Sequence, residues 1–507
     1  MKSLSGYLLC FLLLAQFAVK AQTNKAFYKE IHRPQFHFTP PAYWMNDPNG
    51  MVYHKGVYHL FYQHYPEASV WGPMHWGHAT SKDLIHWEHK PIALFPDSLG
   101  YIFSGSTVVD VNNTTGFAKK GEIPLVAIFT HHDPKFEKEK KIDYQNQSLA
   151  YSLDDGNTWV KYQGNPVLKN PGIVDFRDPK VMWYEKDKKW LMTLAAKDRI
   201  SFYSSPDLKT WKKESEYGEN AGAHGGVWEC PDLFPMQVNG KTVWVLLVSI
   251  NPGGPNGGSA TQYFIGDFDG SKFTPHTTET KWVDWGTDNY AGITWSNTGD
   301  RKIFLGWMSN WQYANMVPTD PWRSAMTFPR ELSLKKVNNA FYLASEPVKE
   351  LNKIISTTRK ISSDAVKRTL DLSESVKDLN GQYLLKFSSP LIADFSIVLS
   401  NEVGEELIVG YDQQKNEYYV DRTKAGKKNF EIGFAKKHTA PRISASESMD
   451  LTLLVDAASI ELFADEGLSV VTDIFFPNQI MTRLSVKTST PMKLNNVSIS
   501  KVEGVWK

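Results

Sequence analysis

Three acidic residues stand in short motifs crowded with aromatic and turn-forming residues. Asp47 lies in Trp44-Met45-Asn46-Asp47-Pro48-Asn49-Gly50, Asp178 in Asp175-Phe176-Arg177-Asp178-Pro179, and Glu229 in Val227-Trp228-Glu229-Cys230-Pro231-Asp232. Carboxyl pairs of this kind suit glycoside hydrolysis: one attacks the anomeric carbon while the other, protonated, releases the leaving oxygen. Glu229, between Trp228 and Cys230, is expected to be partly desolvated, and desolvation favours the protonated form that a general acid needs. Arg177 is expected to keep its neighbour Asp178 ionised, able to bind hydroxyls and to stabilise an oxocarbenium-like transition state. Any one of these acids alone reads as a turn cap or a buried ion pair; the three together carry the reading.

The elements that must position them are strands. Asn-Asp-Pro and Asn-Gly are turn signals, and Met51–Tyr53 with Val57–Tyr62 follows as a strand pattern, so Asp47 sits at the mouth of a β-hairpin. Gln63 ends that second run, Trp71–His78 is a loop, Phe103-Ser104-Gly105-Ser106 opens a further strand, and Gly306–Trp311 is the last chemical motif. From about 30 to 340 the chain reads as short strands broken by Gly, Pro, Asn and Asp. A weak repeat runs through it: Ser81–Trp87, Ser152–Trp159 and Ser205–Trp211 each join a Ser, a polar turn and a terminal Trp, and Gly266–Phe273 is a looser copy. Repeated hairpins predict a β-propeller of about five or six blades, whose central cleft gathers loops from distant parts of the sequence.

Trp44–Gly50 resembles the signature of glycoside hydrolase family 32, the invertases, inulinases and levanases, and the Asp178 and Glu229 motifs follow in the same order. The resemblance implies an all-β fold, a five-bladed β-propeller followed by a C-terminal β-sandwich. It implies Asp47 as nucleophile, Asp178 as transition-state stabiliser and Glu229 as acid/base. It further implies a fructose pocket lined by Trp44, Met45, Asn46, Gln63, Trp71, Phe103, Ser104, Arg177 and Trp311. Asp284–Tyr290 also resembles a family loop, in which Asp288 would support the active-site rim. The implied reaction is retaining hydrolysis of a β-fructofuranosyl bond, releasing terminal fructose from levan, inulin or sucrose. His75–His78 and Trp322–Met326 resemble the exo-acting bacterial members. An endo-levanase, a fructosyltransferase, an inverting arabinosidase or xylosidase, and a fructan-binding propeller lectin are the alternatives.

Composition bounds the rest. The sequence contains no CxxC, HExxH, phosphate loop, dinucleotide fingerprint or nucleophile elbow, so no metal and no cofactor is expected. His75 with His78, and His131-His132-Asp133, are read as hydrogen-bonding groups. Residues 1–21 read as a signal peptide, with Lys2, an apolar run from Tyr7 to Ala15 and a small-residue cleavage site at Val19-Lys20-Ala21. An exported protein, periplasmic or extracellular, follows. Its removal would take Cys10, leaving Cys230 as the one cysteine and no internal disulfide. The whole chain carries a formal net charge of +1, which gives no footprint for nucleic acid or an anionic membrane. No later apolar run is long enough to cross a membrane. Sixteen of the 17 tryptophans fall between Trp44 and Trp322, a step that separates a catalytic domain (30–340) from a different C-terminal module. Residues 341–360 read as a linker and 361–507 as the β-sandwich, with strand alternation at Phe395–Leu399, Glu406–Gly410 and Leu451–Val455.

Overall fold

The alternating and continuous apolar runs of the sequence become antiparallel strands throughout the computed structural model, which describes residues 28–362 and 365–506. The signal peptide assigned to 1–21 lies outside the described residues. Five sheets of four or five strands follow one another between Tyr43 and Pro347. Each begins with its inner strand: β1 (Tyr43–His54), β2 (Tyr101–Val109), β3 (Phe176–Tyr184), β4 (Val227–Val238) and β5 (Tyr290–Thr294). These five pack against one another in a ring, so the fold is a five-bladed propeller, the lower of the two blade numbers that the repeat allowed. Trp322–Arg323, from the last blade's long connection, pairs in parallel with Tyr43 and Trp44 of β1 and ties the ring shut.

The sequence repeat is the turn between the third and fourth strands of blades one to four. Ser81 bonds to Asp83, whose Oδ1 accepts the main-chain N–H groups of Ile85 and His86, and the Trp87 indole donates to Leu84 O. Ser152, Asp154 and Trp159 repeat the arrangement, as do Ser205, Asp207 and Trp211. In the fourth blade Asp269 accepts from Ser271 and Lys272. The side-chain oxygen replaces ladder partners at the turn, which is why Ser and Asp recur there. The fifth blade turns instead on Asn338 and Asn339, both at positive φ, and so escapes the repeat.

The C-terminal module is a sandwich of two six-stranded sheets enclosing one apolar core. The boundary differs from the expected 341–360 linker. Ala340–Pro347 is the outer strand of the fifth blade, and Ile355–Lys360 is an edge strand of the sandwich. The connection between them is the 3₁₀ helix Lys349–Ile354, whose Leu351 and Ile354 are buried. Hydrophobic alternation continues across the boundary, so composition alone placed the break too widely.

The interface between the two parts combines apolar packing, such as Phe36 and Phe328 with Phe463 and Val470, with buried ion pairs. Arg330, fully buried, bonds to Asp284 of the propeller and to Glu461 and Thr472 of the sandwich. His37 is held between Asp456 and Glu461, each at 2.8 Å. Buried charges are tolerated only when paired in this way, and breaking one pair strands its partner. Among the described residues no helix is long and apolar enough to cross a membrane.

Candidate active site

All five inner strands break their pairing register at the same level. Two residues face one on the neighbouring strand at Asn46-Asp47 in β1, Phe103-Ser104 in β2, Asp178-Pro179 in β3, Cys230-Pro231 in β4 and Ala291-Gly292 in β5. A bulge bends its strand and re-aims side chains. Repeated five times around the ring, it turns one end of each inner strand onto a common pocket. The motif residues follow from this geometry. Asp178 and Cys230 stand at φ 65° and 45°. Pro179 and Pro231 sit where no ladder N–H is needed. Gly105 is required because a Cβ there would collide with the Ile128 carbonyl.

The three acids meet at the pocket floor. Asp47 accepts hydrogen bonds from Asn46 Nδ2 (2.9 Å) and Ser104 Oγ (2.6 Å), and the Cys230 thiol lies 3.5 Å from its Oδ2. Burial raises the Asp47 carboxyl above its ordinary range; the Ser104 bond opposes this and the charge of Glu229 adds to it. Asp178 accepts the main-chain N–H of Cys230 at 3.0 Å. Glu229 takes Arg177 Nη2 at 2.9 Å on one oxygen and the Tyr290 hydroxyl on the other.

Arg177 does not do what its place in the sequence implied. Its guanidinium bonds to Glu229 and to Asp175, while the nearest Asp178 oxygen is 3.9 Å away. Residues adjacent on a strand face opposite ways, and the bulge leaves Asp178 pointing at Asp47 and Cys230 instead. The Asp178 carboxyl is therefore not held ionised but pushed up to about 7. Burial is the main cause; Arg177 opposes it, and the charges of Glu229 and Asp47 reinforce it. Three carboxyls around one guanidinium favour retention of a shared proton.

The pocket encloses about 260 Å³. Of the residues expected to line it, Asn46, Gln63, Trp71, Phe103, Ser104, Arg177 and Trp311 do so, with the three acids. Trp44 and Met45 do not: both are completely buried behind the wall. The Trp44 indole donates to Asn46 Oδ1 at 2.7 Å and stacks beneath Trp311 at 5.9 Å, so it supports two lining residues without reaching the cavity. Asp288 is also misplaced by the rim expectation. It is fully buried against the sandwich, bonded to Arg422, Tyr313 and the Ile474 N–H. His132, Glu137, Tyr144, Gln145, Asp175 and Asn251 line the pocket without having been singled out as site residues. Asp175 was legible as part of the Arg177 motif and His132 as part of His131-His132-Asp133, read there as a hydrogen-bonding group; Glu137, Tyr144, Gln145 and Asn251 come from strand ends and a connection that carry no local signal of chemistry. Tyr290, not singled out as a site residue, opens β5 just before its bulge, the place that Glu229 holds in β4.

Residues 37–347 match the model of the glycosyl hydrolases family 32 N-terminal domain, and residues 350–501 match that of the family's C-terminal domain. The chain is 46% identical to a levanase of Bacillus subtilis over 521 residues, covering 100% of this chain and 76% of the relative. It is 39% identical to an extracellular exo-inulinase of Aspergillus niger over 519 residues, covering 94% and 96%. Among solved structures, the exo-inulinase of Aspergillus awamori superposes with a TM-score of 0.85 at 35% identity, covering 94% of this chain and 100% of that one. A β-fructofuranosidase of Schwanniomyces occidentalis complexed with fructosyl-erythritol superposes with a TM-score of 0.84 at 32% identity, covering 94% and 99%.

Proposed function

This chain belongs to glycosyl hydrolase family 32, and from that premise we propose that it is an exported fructan β-fructosidase in which Asp47 is the nucleophile, Glu229 the acid/base and Asp178 the stabiliser of the transition state. The chain hydrolyses β-fructosyl bonds of fructans and sucrose, a reading that its similarity to a levanase, exo-inulinases and an invertase supports. The observation that carries the assignment of roles is the delivery of Asp47, Asp178 and Glu229 by three bulged inner strands to one pocket floor.

The chemistry follows from the surroundings of each acid. Asp47, with Ser104 and Asn46 donating to it, presents a carboxylate that forms a bond to the anomeric carbon. As that bond forms, the glycosidic bond breaks, its electron pair stays on the leaving oxygen, and Glu229 supplies the proton. Arg177 and Tyr290 fix the Glu229 carboxyl on both oxygens. Asp178, in its ionised form, faces the oxocarbenium-like charge that builds on the sugar ring in the transition state of each step. Glu229, now a carboxylate, takes a proton from water, whose oxygen displaces Asp47 and frees fructose with its β configuration retained.

Exo-action is supported by the pocket's size and walls. Ligand clefts commonly span roughly 300–1,000 Å³; about 260 Å³ walled by Trp71, Phe103 and Trp311 suits a terminal sugar better than a continuing chain. Export is supported by the leader-like residues 1–21 and by similarity to an exo-inulinase described as extracellular. A time course on levan, inulin and sucrose, resolved by chromatography, tests the reading. Free fructose as the sole early product from levan and inulin, and fructose with an equal amount of glucose from sucrose, is expected; oligosaccharides preceding fructose on levan or inulin would make the enzyme endo-acting, and products longer than the substrate would make it a transferase.

A further inference from the structure

The pocket wall supplied by the second blade has no part in the triad. It comes from His132, from Glu137 on the short helix Pro134–Lys138, and from Tyr144 and Gln145 where the next strand begins. These groups form one fixed unit. His132 stacks on Phe103 at 4.2 Å with the rings 6° from parallel. Its Nε2 lies 3.1 Å from Glu137, and its Nδ1 lies 3.3 Å from Gln145 Nε2. Because the Gln145 amide can only donate there, His132 Nδ1 accepts and Nε2–H donates to Glu137. Burial, the largest influence on the ring, lowers its pKa and keeps it neutral, consistent with that tautomer. Asp133 caps the helix by accepting the N–H groups of Lys135 and Phe136.

One atom of the unit is left over. Gln145 is 2% exposed, and its Oε1 has no hydrogen-bond partner although it lines the pocket. An orphaned buried acceptor is destabilising unless a ligand or water completes it. The fructosyl ring must sit over Asp47, among Asn46, Gln63 and Ser104. Its leaving oxygen must face Glu229, so the leaving group lies toward the remaining wall.

We propose that Glu137 and Gln145, held in register by His132, form the subsite that recognises hydroxyl groups of the leaving sugar, Gln145 Oε1 and the free lone pairs of the Glu137 carboxylate each accepting a sugar O–H. The proposal rests on the β-fructosidase reading and assigns this wall the choice between sugar and non-sugar leaving groups. Within His131-His132-Asp133, His132 thereby acquires a role in substrate selection, while His131 bonds to Ser148 and Asp133 caps the helix.

The test is a selectivity ratio, which does not depend on the fraction of folded enzyme. kcat/KM is measured for sucrose, for a fructose trisaccharide and for p-nitrophenyl β-fructofuranoside, with wild type, Glu137→Gln, Glu137→Ala and Gln145→Ala. Loss of a hydrogen bond to a charged group corresponds to roughly tenfold or more. Glu137→Ala is therefore expected to lower the sugar-to-aryl ratio at least tenfold, mainly through KM of the sugars, with Glu137→Gln and Gln145→Ala lowering it less. Ratios within about twofold of wild type in all three variants overturn the proposal. Wild-type protein that releases no fructose from any of these substrates would instead refute the β-fructosidase reading itself.

Discussion

Asp178→Asn should stabilise the folded chain while nearly abolishing activity. The Asp178 carboxyl is pushed from an ordinary 3.8 to about 7, roughly three units. At about 1.36 kcal/mol per unit, keeping it ionised in the folded state costs up to about 4 kcal/mol. Asparagine keeps an acceptor for the Cys230 N–H, and it tolerates the φ of 65° at this position. Part of the gain is offset: Arg177 loses an attracting charge 3.9 Å away, and the new amide needs an acceptor of its own. A net gain of about 2 kcal/mol remains, equivalent to a rise in Tm on the order of 2–6 °C. The sign with pH is fixed. A carboxyl with a higher pKa folded than unfolded binds more protons in the native state, so its cost grows from about pH 4 to about pH 7 and is constant above. The advantage of Asp178→Asn should therefore be largest near pH 8 and vanish near pH 4. Thermal melts of both proteins at pH 4, 6 and 8 measure it. A variant no more stable than wild type at pH 8, or one whose gain does not change with pH, would refute the burial and repulsion argument.

Further outcomes are expected. Asp47→Ala should lose several orders of magnitude in kcat on every substrate, whereas Glu229→Ala should retain slow turnover of an aryl fructoside whose leaving group needs no proton; equal residual activity in both variants on that substrate would contradict the assigned roles. NMR of the earliest product should show β-fructose, because two successive displacements at the anomeric carbon retain its configuration; α-fructose would exclude the covalent route. Burial works against a charged His37, but hydrogen bonds and charges from Asp456 and Glu461 overcome it and hold His37 up to about 9. That stabilisation, at most about 3 kcal/mol, is complete below about pH 6.5 and lost as pH rises through about 9. His37→Gln should flatten the decline in melting temperature over this window, and an unchanged slope would show that the interface does not titrate there.

The sequence by itself determined the fold class and the chemistry. Strand periodicity, the Ser–Asp–Trp turns and the step in tryptophan content are local signals, because turn chemistry and burial alternation act over a few residues. The acids too were legible, since each stands close to a proline at or next to its strand's bulge, where no N–H need pair. What the tertiary structure alone decided was which neighbours share space. Arg177 pairs with Glu229, 52 residues away, and not with adjacent Asp178, because neighbouring side chains on a strand point apart. Trp44 and Met45 went into the core although they flank Asn46 in the same motif, and Asp288 was drawn into the sandwich interface by Arg422, 134 residues on. That His132, singled out only as a hydrogen-bonding group, forms one wall with Glu137 and Gln145 was invisible in sequence for the same reason. Its members belong to the site only because closing the ring of blades carries an outer connection of the second blade over a pocket built by five inner strands.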